Sequence, residues 1–297
     1  MPTPPTITTS TITTTPDGST TLHLTTRNTA HPTTPSLILL HYWGGSPTTW
    51  SPLLDTAAGP LPPSTTHSVA YHARGWAPST GPADPSAYGT AHMSGDLACV
   101  VRAAGFDDDE NDENNNNAGF VLVGHSMGAK VAMHYAATAR PRPRGLRGMV
   151  LVAPAPLRGG LRLPREEKER QRGAYASAEA VRAVLDDVLT AGGLQEEVRE
   201  RCVRDSMRGG EAATRAWVEY AAEEDFGGLE GGIEEGLPVL VVRGDGDFER
   251  GIVGELGVER GWRNEVVEGC GHLVPLEKPE VLGRMIAEFV EGLPGRK

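Results

Sequence analysis

The chain has 297 residues, of which 38% are hydrophobic and 23% are charged, and its formal net charge at pH 7 is -11. This length and composition are typical of a globular protein with one large α/β domain, or with a core and a small inserted unit. The acidic balance argues against nucleic acid as a partner, because proteins that bind polyanions need a basic face.

The three cysteines, Cys99, Cys202 and Cys270, lie far apart and show no C-x-x-C spacing. This pattern favours neither a disulfide framework nor a zinc site, and it is typical of a reducing compartment. The Thr- and Pro-rich N-terminal region lacks the basic and apolar segments of a signal peptide, and no apolar run approaches the ~18 residues that span a bilayer. We therefore expect a cytoplasmic protein without a membrane span, of an oligomeric state that the sequence does not indicate.

Strand and helix signals alternate along most of the chain. Two β-branched segments flank the turn signal Asp17-Gly18, which predicts an N-terminal hairpin. The predicted strands are residues 6–15, 20–26, 36–41, 68–72, 120–123, 148–153, 237–242 and 265–267, and the predicted helices between and after them are 88–104, 129–139 and 279–293. Such alternation implies an α/β fold with a mostly parallel sheet that helices cover on both faces.

Residues 157–235 show helical patterns without strand signals. Apolar residues at i, i+3, i+4 and i+7 between Val181 and Leu189 predict an amphipathic helix, and two more helices are predicted at 194–207 and 211–222. We interpret the stretch as a helical lid over the carboxyl edge of the sheet. The predicted organisation is therefore a core of residues 1–156 and 236–297, interrupted by a lid at 157–235.

Two polar stretches carry no predicted chemistry. Residues 107–117 are almost wholly Asp, Glu and Asn, so we expect a disordered surface loop, with a metal site as the weaker alternative. The charges of residues 165–172 alternate in sign, as on a solvated helix face.

The most informative motif is Gly124-x-Ser126-x-Gly128, which follows an apolar run and precedes a helical pattern. A strand, this pentapeptide and a helix together form the sequence pattern of a nucleophile elbow. The turn is so tight that the positions two before and two after the serine must be small, and the helix N-terminus is aimed at the reaction centre. An ordinary strand-to-helix turn is the alternative, but the context favours Ser126 as a nucleophile.

A serine hydroxyl needs a base, and the base needs an acid to orient it. His272 is the only histidine after His134, and it lies on a glycine-rich loop between the last strand and the last helix. The alternative is a surface loop histidine. The strand that starts at Pro238 delivers two candidate acids at its end, of which we favour Asp247 and keep Asp245 as the alternative.

The oxyanion that forms during attack must meet hydrogen-bond donors already in place. The backbone N–H of Met127, next to the nucleophile, is one candidate. The other should come from the His41-Tyr-Trp-Gly-Gly-Ser46 loop, whose two glycines let the backbone approach a ligand closely.

These motifs make the chain resemble the α/β-hydrolase superfamily over essentially its full length. The order Ser126, Asp247, His272 is that of the superfamily's triad. The segments that match its motifs are His41-x-x-Gly-Gly-Ser46 (H-G-x-G-G-S), residues 70–79 (D-x-R-G-x-G-x-S), Gly124–Gly128 (G-x-S-x-G), Gly244–Asp247 (G-x-x-D) and Gly269–His272 (G-x-G-H). The resemblance implies that the Trp43 N–H is the second oxyanion donor and Asp247 the triad acid, and we expect no metal and no cofactor.

Two positions depart from the superfamily pattern. Tyr42 replaces the glycine that usually follows the loop histidine, which would narrow the oxyanion pocket or reorient its peptide. His72 replaces the usual aspartate before Ala-Arg-Gly. Neither position has a triad role, so we expect activity to survive with an altered substrate range.

A serine at the elbow argues against the haloalkane dehalogenases and epoxide hydrolases of this fold, which use aspartate there. We expect hydrolysis of a small-molecule ester, or a related acyl compound, through an acyl-enzyme. The alternatives are a cofactor-free perhydrolase, similar to haloperoxidases, and a ligand receptor without catalysis. The residues that we name as candidates for the substrate pocket, each with ordinary core packing as its alternative, are Tyr42, His125, Leu185, Met207, Trp217 and Tyr220.

Overall fold

The computed structural model of the chain describes residues 6–28, 34–55, 60–62, 66–106, 118–141, 143, 145–162, 164–247 and 259–295. The acidic tract at 107–117, which we predicted to be a surface loop, lies outside these ranges.

One eight-stranded sheet organises the molecule, with the strand order β1-β2-β4-β3-β5-β6-β7-β8. The strands are β1 (Thr6–Thr13), β2 (Thr21–Asn28), β3 (Ser36–Leu40), β4 (Ser68–Tyr71), β5 (Phe120–His125), β6 (Leu146–Val152), β7 (Val239–Gly244) and β8 (Arg263–Val267). β2 pairs antiparallel with both β1 and β4, and the pairs from β4 to β8 are all parallel. The predicted hairpin and the predicted α/β fold are confirmed.

Helices lie between and after these strands. They are α1 (Ser51–Leu54), α2 (Thr90–Ala103), α3 (Met127–Thr138), α4 (Arg165–Gly173), α5 (Ala178–Val184), α6 (Glu196–Ser206), α7 (Glu211–Glu219), α8 (Val274–Glu277) and α9 (Pro279–Glu291). A π-helical turn at Leu185–Leu189 continues α5. None of the helices in the described ranges has the length and apolarity needed to cross a membrane.

The strands at the centre of the sheet are buried on both faces, as parallel strands between helices should be. Successive side chains of β3 point to opposite faces, so Leu37 and Leu39 pack with α9, while Ile38 and Leu40 pack with α2 and α3. All six residues of β5 are buried. The carboxyl end of this rigid strand is therefore a fixed position from which to present a side chain.

The helical segment, which we define as residues 157–235, contains α4 to α7, and its described residues form no strand. It connects β6 to β7. Its apolar residues join three clusters: one around Val181, Leu185 and Val203, a second around Ala213 and Ala216, and the main core cluster, which includes Leu161 and Trp217. The first two clusters also include residues of the core, Tyr42 and Leu273 in the first and Trp76 and Tyr88 in the second. The helical segment is thus packed against the core by its own apolar side chains; the predicted domain boundaries stay a prediction.

Candidate active site

Ser126 occupies a strained turn between β5 and α3, with φ at 53° and ψ at -112°. Few residues other than glycine adopt a positive φ. The flanking glycines explain how the turn fits: a Cβ on Gly124 would lie 2.6 Å from the Ala129 Cα, and one on Gly128 would lie 2.5 Å from the Leu40 carbonyl oxygen. The structure therefore has the geometry of a nucleophile elbow.

His272 and Asp247 form a buried pair, with 3.0 Å between His272 Nδ1 and Asp247 Oδ1. Their side chains are 3% and 2% exposed. A carboxylate can only accept, so the proton of this hydrogen bond lies on Nδ1 and leaves Nε2 as the basic nitrogen.

The alternative acid, Asp245, lies elsewhere. Its side chain is exposed and accepts a hydrogen bond from the Cys270 N–H at 3.2 Å. Hydrogen bonds from the Gly269 and Cys270 backbone hold the pKa of this carboxyl below its usual value. Asp245 thus orders the turn beside His272, and Asp247 is the acid that contacts the imidazole.

The loop that carries His272 is fixed on both sides of the residue. The His272 N–H donates to the Leu189 carbonyl at 2.9 Å, and the His272 carbonyl accepts from His125 Nε2 at 2.9 Å. Because a carbonyl cannot donate, His125 carries its proton on Nε2. Burial holds the pKa of His125 well below its usual value, so this imidazole is neutral.

The glycine loop, which we define as residues 41–48, follows β3 and lies beside the elbow. His41 Nδ1 is 2.7 Å from the Tyr42 carbonyl oxygen, and His41 Nε2 accepts the Ala73 N–H at 3.0 Å. Nδ1 is therefore the protonated nitrogen. Burial lowers the pKa of His41 to about 4, which keeps the ring neutral and this arrangement in place.

The orientation of the Tyr42–Trp43 peptide follows from these bonds. The Tyr42 carbonyl accepts from His41 and also from the Gly45 N–H at 2.9 Å. In a planar trans peptide the N–H points opposite to the C=O, so the Trp43 N–H points away from both of these donors. The Met127 N–H, in the first turn of α3, has no acceptor within its own helix.

A cavity of about 470 Å³ opens above Ser126, between the core and the helical segment. Ser126 and His272 lie on its wall with four aromatic rings, those of Tyr42, Trp43, Tyr175 and Trp217. The aliphatic lining comes almost wholly from the helical segment, from Leu161, Ala174, Ala180, Ala183, Val184, Val188 and Leu189. The charged lining residues are Glu167, Glu169, Arg170 and Asp187.

Only some of the residues that we named for the pocket line this cavity. Tyr42 and Trp217 do. His125 lies in the protein interior, with its ring centroid 5.0 Å from that of Tyr42. Leu185 is 1% exposed and packs among buried apolar side chains, and its helix presents Val184 and Val188 to the cavity instead.

The remaining two pocket candidates, Met207 and Tyr220, lie away from the cavity. Met207 is 44% exposed to solvent at the end of α6. The Tyr220 hydroxyl donates to the Pro85 carbonyl at 2.8 Å, which directs the side chain towards the core surface. Sequence reasoning missed Tyr175 and Leu161, for which no pattern in the sequence gave a signal, and it missed Val188 although that residue belongs to the predicted apolar stripe.

Both departures from the superfamily pattern are accommodated by packing. The Tyr42 ring is buried and fills the space next to Gly45, where a Cβ would lie 2.7 Å from the ring. His72 is buried, and burial together with the nearby His41 and His23 lowers its pKa to about 3.

Within the described ranges, no group of three or more His, Cys, Asp or Glu side chains is arranged to hold a metal ion. The site consists of a serine, a histidine, a carboxylate and backbone N–H groups around an apolar cavity. Such groups suit nucleophilic attack on a polarised carbonyl carbon.

Known proteins of several activities share this fold. A proposed aryl esterase from Burkholderia cenocepacia is 22% identical, with a TM-score of 0.75 over 96% of this chain and 98% of its own. A bromoperoxidase from Bacillus anthracis is 17% identical, with a TM-score of 0.75 over 96% and 100% of the two chains. Epoxide hydrolase A from Mycobacterium thermoresistibile is 16% identical, with a TM-score of 0.74 over 98% of this chain and 100% of its own.

No curated protein sequence matches the chain. The sequence model of the alpha/beta hydrolase family matches residues 37–284, which include the elbow, the carboxylate and the histidine described above. The chain therefore belongs to the alpha/beta hydrolase family.

Proposed function

We propose that the protein is a serine hydrolase that cleaves carboxylic esters, or related acyl compounds, through an acyl-enzyme. The observation that carries the proposal is that the strained Ser126 and the Asp247-bound His272 lie on the wall of one cavity. Ser126 is the nucleophile, His272 the general base and Asp247 the acid that fixes the imidazole tautomer.

The reaction that we propose uses the groups of this site. His272 Nε2 takes the Ser126 proton as the serine oxygen attacks the ester carbonyl carbon. The Trp43 and Met127 N–H groups stabilise the oxyanion of the tetrahedral intermediate. As the intermediate collapses, the C–O bond to the alcohol breaks and His272 protonates the departing oxygen. Water, activated by the same histidine, then releases the acid and restores Ser126.

The residue at the elbow supports acyl chemistry over epoxide opening. Epoxide hydrolases with this fold use an aspartate carboxylate at the elbow, whereas this chain has the hydroxyl of Ser126. An acyl-serine ester is hydrolysed by water at its carbonyl carbon, which is the step that His272 serves.

The lining of the cavity favours a substrate whose acyl or alcohol group is uncharged and partly aromatic or aliphatic. Its volume of about 470 Å³ and its aromatic and aliphatic lining suit small organic ligands. Since most of its aliphatic lining belongs to residues 157–235, we assign this segment the role of a lid that determines specificity.

A fluorophosphonate probe and a panel of p-nitrophenyl esters of increasing acyl length, extended with thioesters and lactones, test the proposal. We expect wild-type protein to be labelled and to hydrolyse esters, and Ser126→Ala to do neither. Ser10→Ala, which alters an exposed serine on β1, is the matched control and should behave as wild type. Labelling of Ser126→Ala would overturn the assignment of the nucleophile.

The two alternative functions give different results in the same experiments. Peracid formation from acetate and hydrogen peroxide without ester turnover would identify a perhydrolase. Tight binding of an ester without product formation would identify a receptor. Either result contradicts the proposed esterase activity.

A further inference from the structure

The helical segment is hydrogen-bonded to the glycine loop at several points. The Tyr175 hydroxyl donates to the Trp43 carbonyl at 2.5 Å, and the Ser206 hydroxyl donates to the Gly44 carbonyl at 2.8 Å. Asp205, next to Ser206, accepts from two hydroxyls of the same loop. Every one of these contacts joins a residue of the segment to the loop whose Trp43 N–H is the proposed oxyanion donor.

Of these three residues, Asp205 makes the most hydrogen bonds to the loop. Its Oδ2 lies 2.8 Å from Ser46 Oγ and 2.5 Å from Thr48 Oγ1. Each hydroxyl has one proton, and the carboxylate can accept both. Hydrogen bonds to an ionised acceptor are roughly twice as strong as neutral ones, so Asp205 holds both side chains firmly.

The position of Asp205 is unfavourable for the helix that carries it. It lies in the last turn of α6, where the helix dipole disfavours a negative charge, and it is 7% exposed. Burial of a carboxylate costs free energy unless partners compensate. Arg208 Nη1 is 3.8 Å away on a side chain that is 55% exposed, so this ion pair offsets little of that cost. The close hydrogen-bonding partners of the carboxylate are the two hydroxyls of the glycine loop.

The glycine loop needs such support because its glycines allow the backbone to adopt many conformations. Gly44 has φ at +99°, and the space for a side chain there is occupied by the Tyr175 hydroxyl. Gly45 donates the N–H that helps to orient the Tyr42 carbonyl, and Ser46 is the next residue. A contact that fixes Ser46 therefore fixes the Gly45 N–H, the Tyr42–Trp43 peptide and the direction of the Trp43 N–H.

We propose that Asp205 is a positioning residue for oxyanion stabilisation: it holds Ser46 and Thr48 so that the Trp43 N–H stays aimed at the reacting carbonyl oxygen. The inference rests on the proposed hydrolase function. It means that the helical segment, besides forming the cavity, keeps part of the catalytic machinery in place. The effect acts through the loop, since Asp205 is not among the residues that line the cavity.

The test compares Asp205→Ala and Asp205→Asn with wild type. Loss of one oxyanion donor costs about 100- to 1000-fold in kcat, and misplacement should cost less, so we expect a fall in kcat of about 10- to 100-fold for Asp205→Ala. The neutral amide oxygen of Asp205→Asn still accepts hydrogen bonds, so its loss should be smaller. KM should stay within about threefold, because the cavity lining is unchanged.

Binding of a trifluoromethyl ketone distinguishes misplaced oxyanion donors from general damage to the active site. Ser126 adds to it to form a hemiketal oxyanion, which needs the oxyanion donors, whereas the corresponding methylene compound binds without them. For Asp205→Ala we expect the affinity for the ketone to fall by the same factor as kcat/KM. The affinity for the methylene compound should be unchanged. Asp205→Asn keeps the test decisive if Asp205→Ala does not fold.

Glu200→Gln is the matched control. Glu200 is also on α6, and its carboxylate is bound by Arg182, another residue of the helical segment, at 2.7 Å. It should keep wild-type kcat and ketone affinity. Thr48→Val removes one of the hydroxyl partners, and its effect should not add to that of Asp205→Ala, because both break the same contact.

The possible failures are distinct. A wild-type protein that neither hydrolyses esters nor binds the ketone would overturn the proposed function and this inference together. An active wild type with Asp205→Ala that keeps its kcat and ketone affinity, or that loses affinity for both inhibitors alike, would overturn the inference alone.

Discussion

At the scale of single residues, the protein contains buried histidines that stay neutral in the folded state. The pKa of His41 is lowered to about 4 and that of His72 to about 3, in both cases mainly by burial. The unfolded chain binds these protons near pH 6.5. Between pH 6.5 and about 4 the unfolded state therefore binds more protons than the folded state, so the free energy of unfolding decreases as the pH falls.

This linkage gives a prediction for His72→Asn, which cannot take up a proton. Above pH 7 the free energy of unfolding should change with pH in the same way for both proteins. As the pH falls from 6.5 to 4, the free energy of unfolding should decrease more for wild type than for the variant, by on the order of 1–3 kcal/mol. Urea unfolding at a series of pH values measures the difference. Parallel pH profiles for the two proteins would show that His72 is already protonated, or exposed, in the folded state.

A second residue-scale prediction concerns Tyr42. Its ring lines the cavity, and its hydroxyl lies beside the Cys202 thiol, a weak partner, with no other hydrogen bond within the described residues. Removal of a poorly satisfied buried hydroxyl is nearly neutral, so Tyr42→Phe should keep kcat within about twofold and stability within about 1 kcal/mol. Steady-state kinetics with the ester panel check this. A tenfold loss of kcat would assign the hydroxyl a role in the chemistry.

At the scale of elements, Lys130 joins α3 to the end of the helical segment. Its side chain is fully buried, and Nζ donates to the carbonyls of Ala221, Ala222 and Glu224 at 3.2, 3.1 and 2.7 Å. These carbonyls follow α7, and the same ammonium lies 5.7 Å from the centroid of the Phe226 ring. One cation thus stabilises the return of the chain from the segment to the core.

Lys130→Met keeps the length of the side chain and removes the donors. It should lower the free energy of unfolding by about 2–4 kcal/mol, because three carbonyls lose a charged partner. Lys168→Met is the control: Lys168 is 22% exposed and pairs with Glu223, so its loss should cost at most about 1 kcal/mol. Urea titration followed by tryptophan fluorescence measures both. Equal losses would mean that the buried contacts of Lys130 contribute little.

The elements also show what sequence can and cannot predict. The apolar run of β3 and the glycines around Ser126 depend on local rules, so the strands and the elbow could be predicted. Leu185 was misplaced because a helical stripe does not say which of its edges faces a cavity and which faces the core. The contact of Asp205 with Ser46 joins residues 159 positions apart, and no local rule relates them.

At the scale of the whole molecule, the helical segment and the core are connected at both loops of the site. Asp205 and Ser206 hold the glycine loop, and the Leu189 carbonyl accepts the N–H groups of His272 and Leu273 at 2.9 and 3.1 Å. Glu277 adds a carboxylate that accepts from Gly271 of the core and Ala191 of the segment, each at 2.9 Å. The segment is therefore bound to the loops on which the proposed chemistry depends.

This connectivity predicts that most of the segment unfolds together with the core. The slowest amides of α6 should exchange with an opening free energy within about 1 kcal/mol of those of α3, and Lys130→Met should lower both by the same amount. Helix α4 has no buried residue, so its amides should exchange much faster and serve as an internal reference. Hydrogen exchange read by mass spectrometry under native conditions resolves the three helices. If α6 opens at a free energy more than about 2 kcal/mol below that of α3, the segment moves as a separate unit, and the hydrogen bonds at Asp205, Leu189 and Glu277 are too weak to hold it on the core.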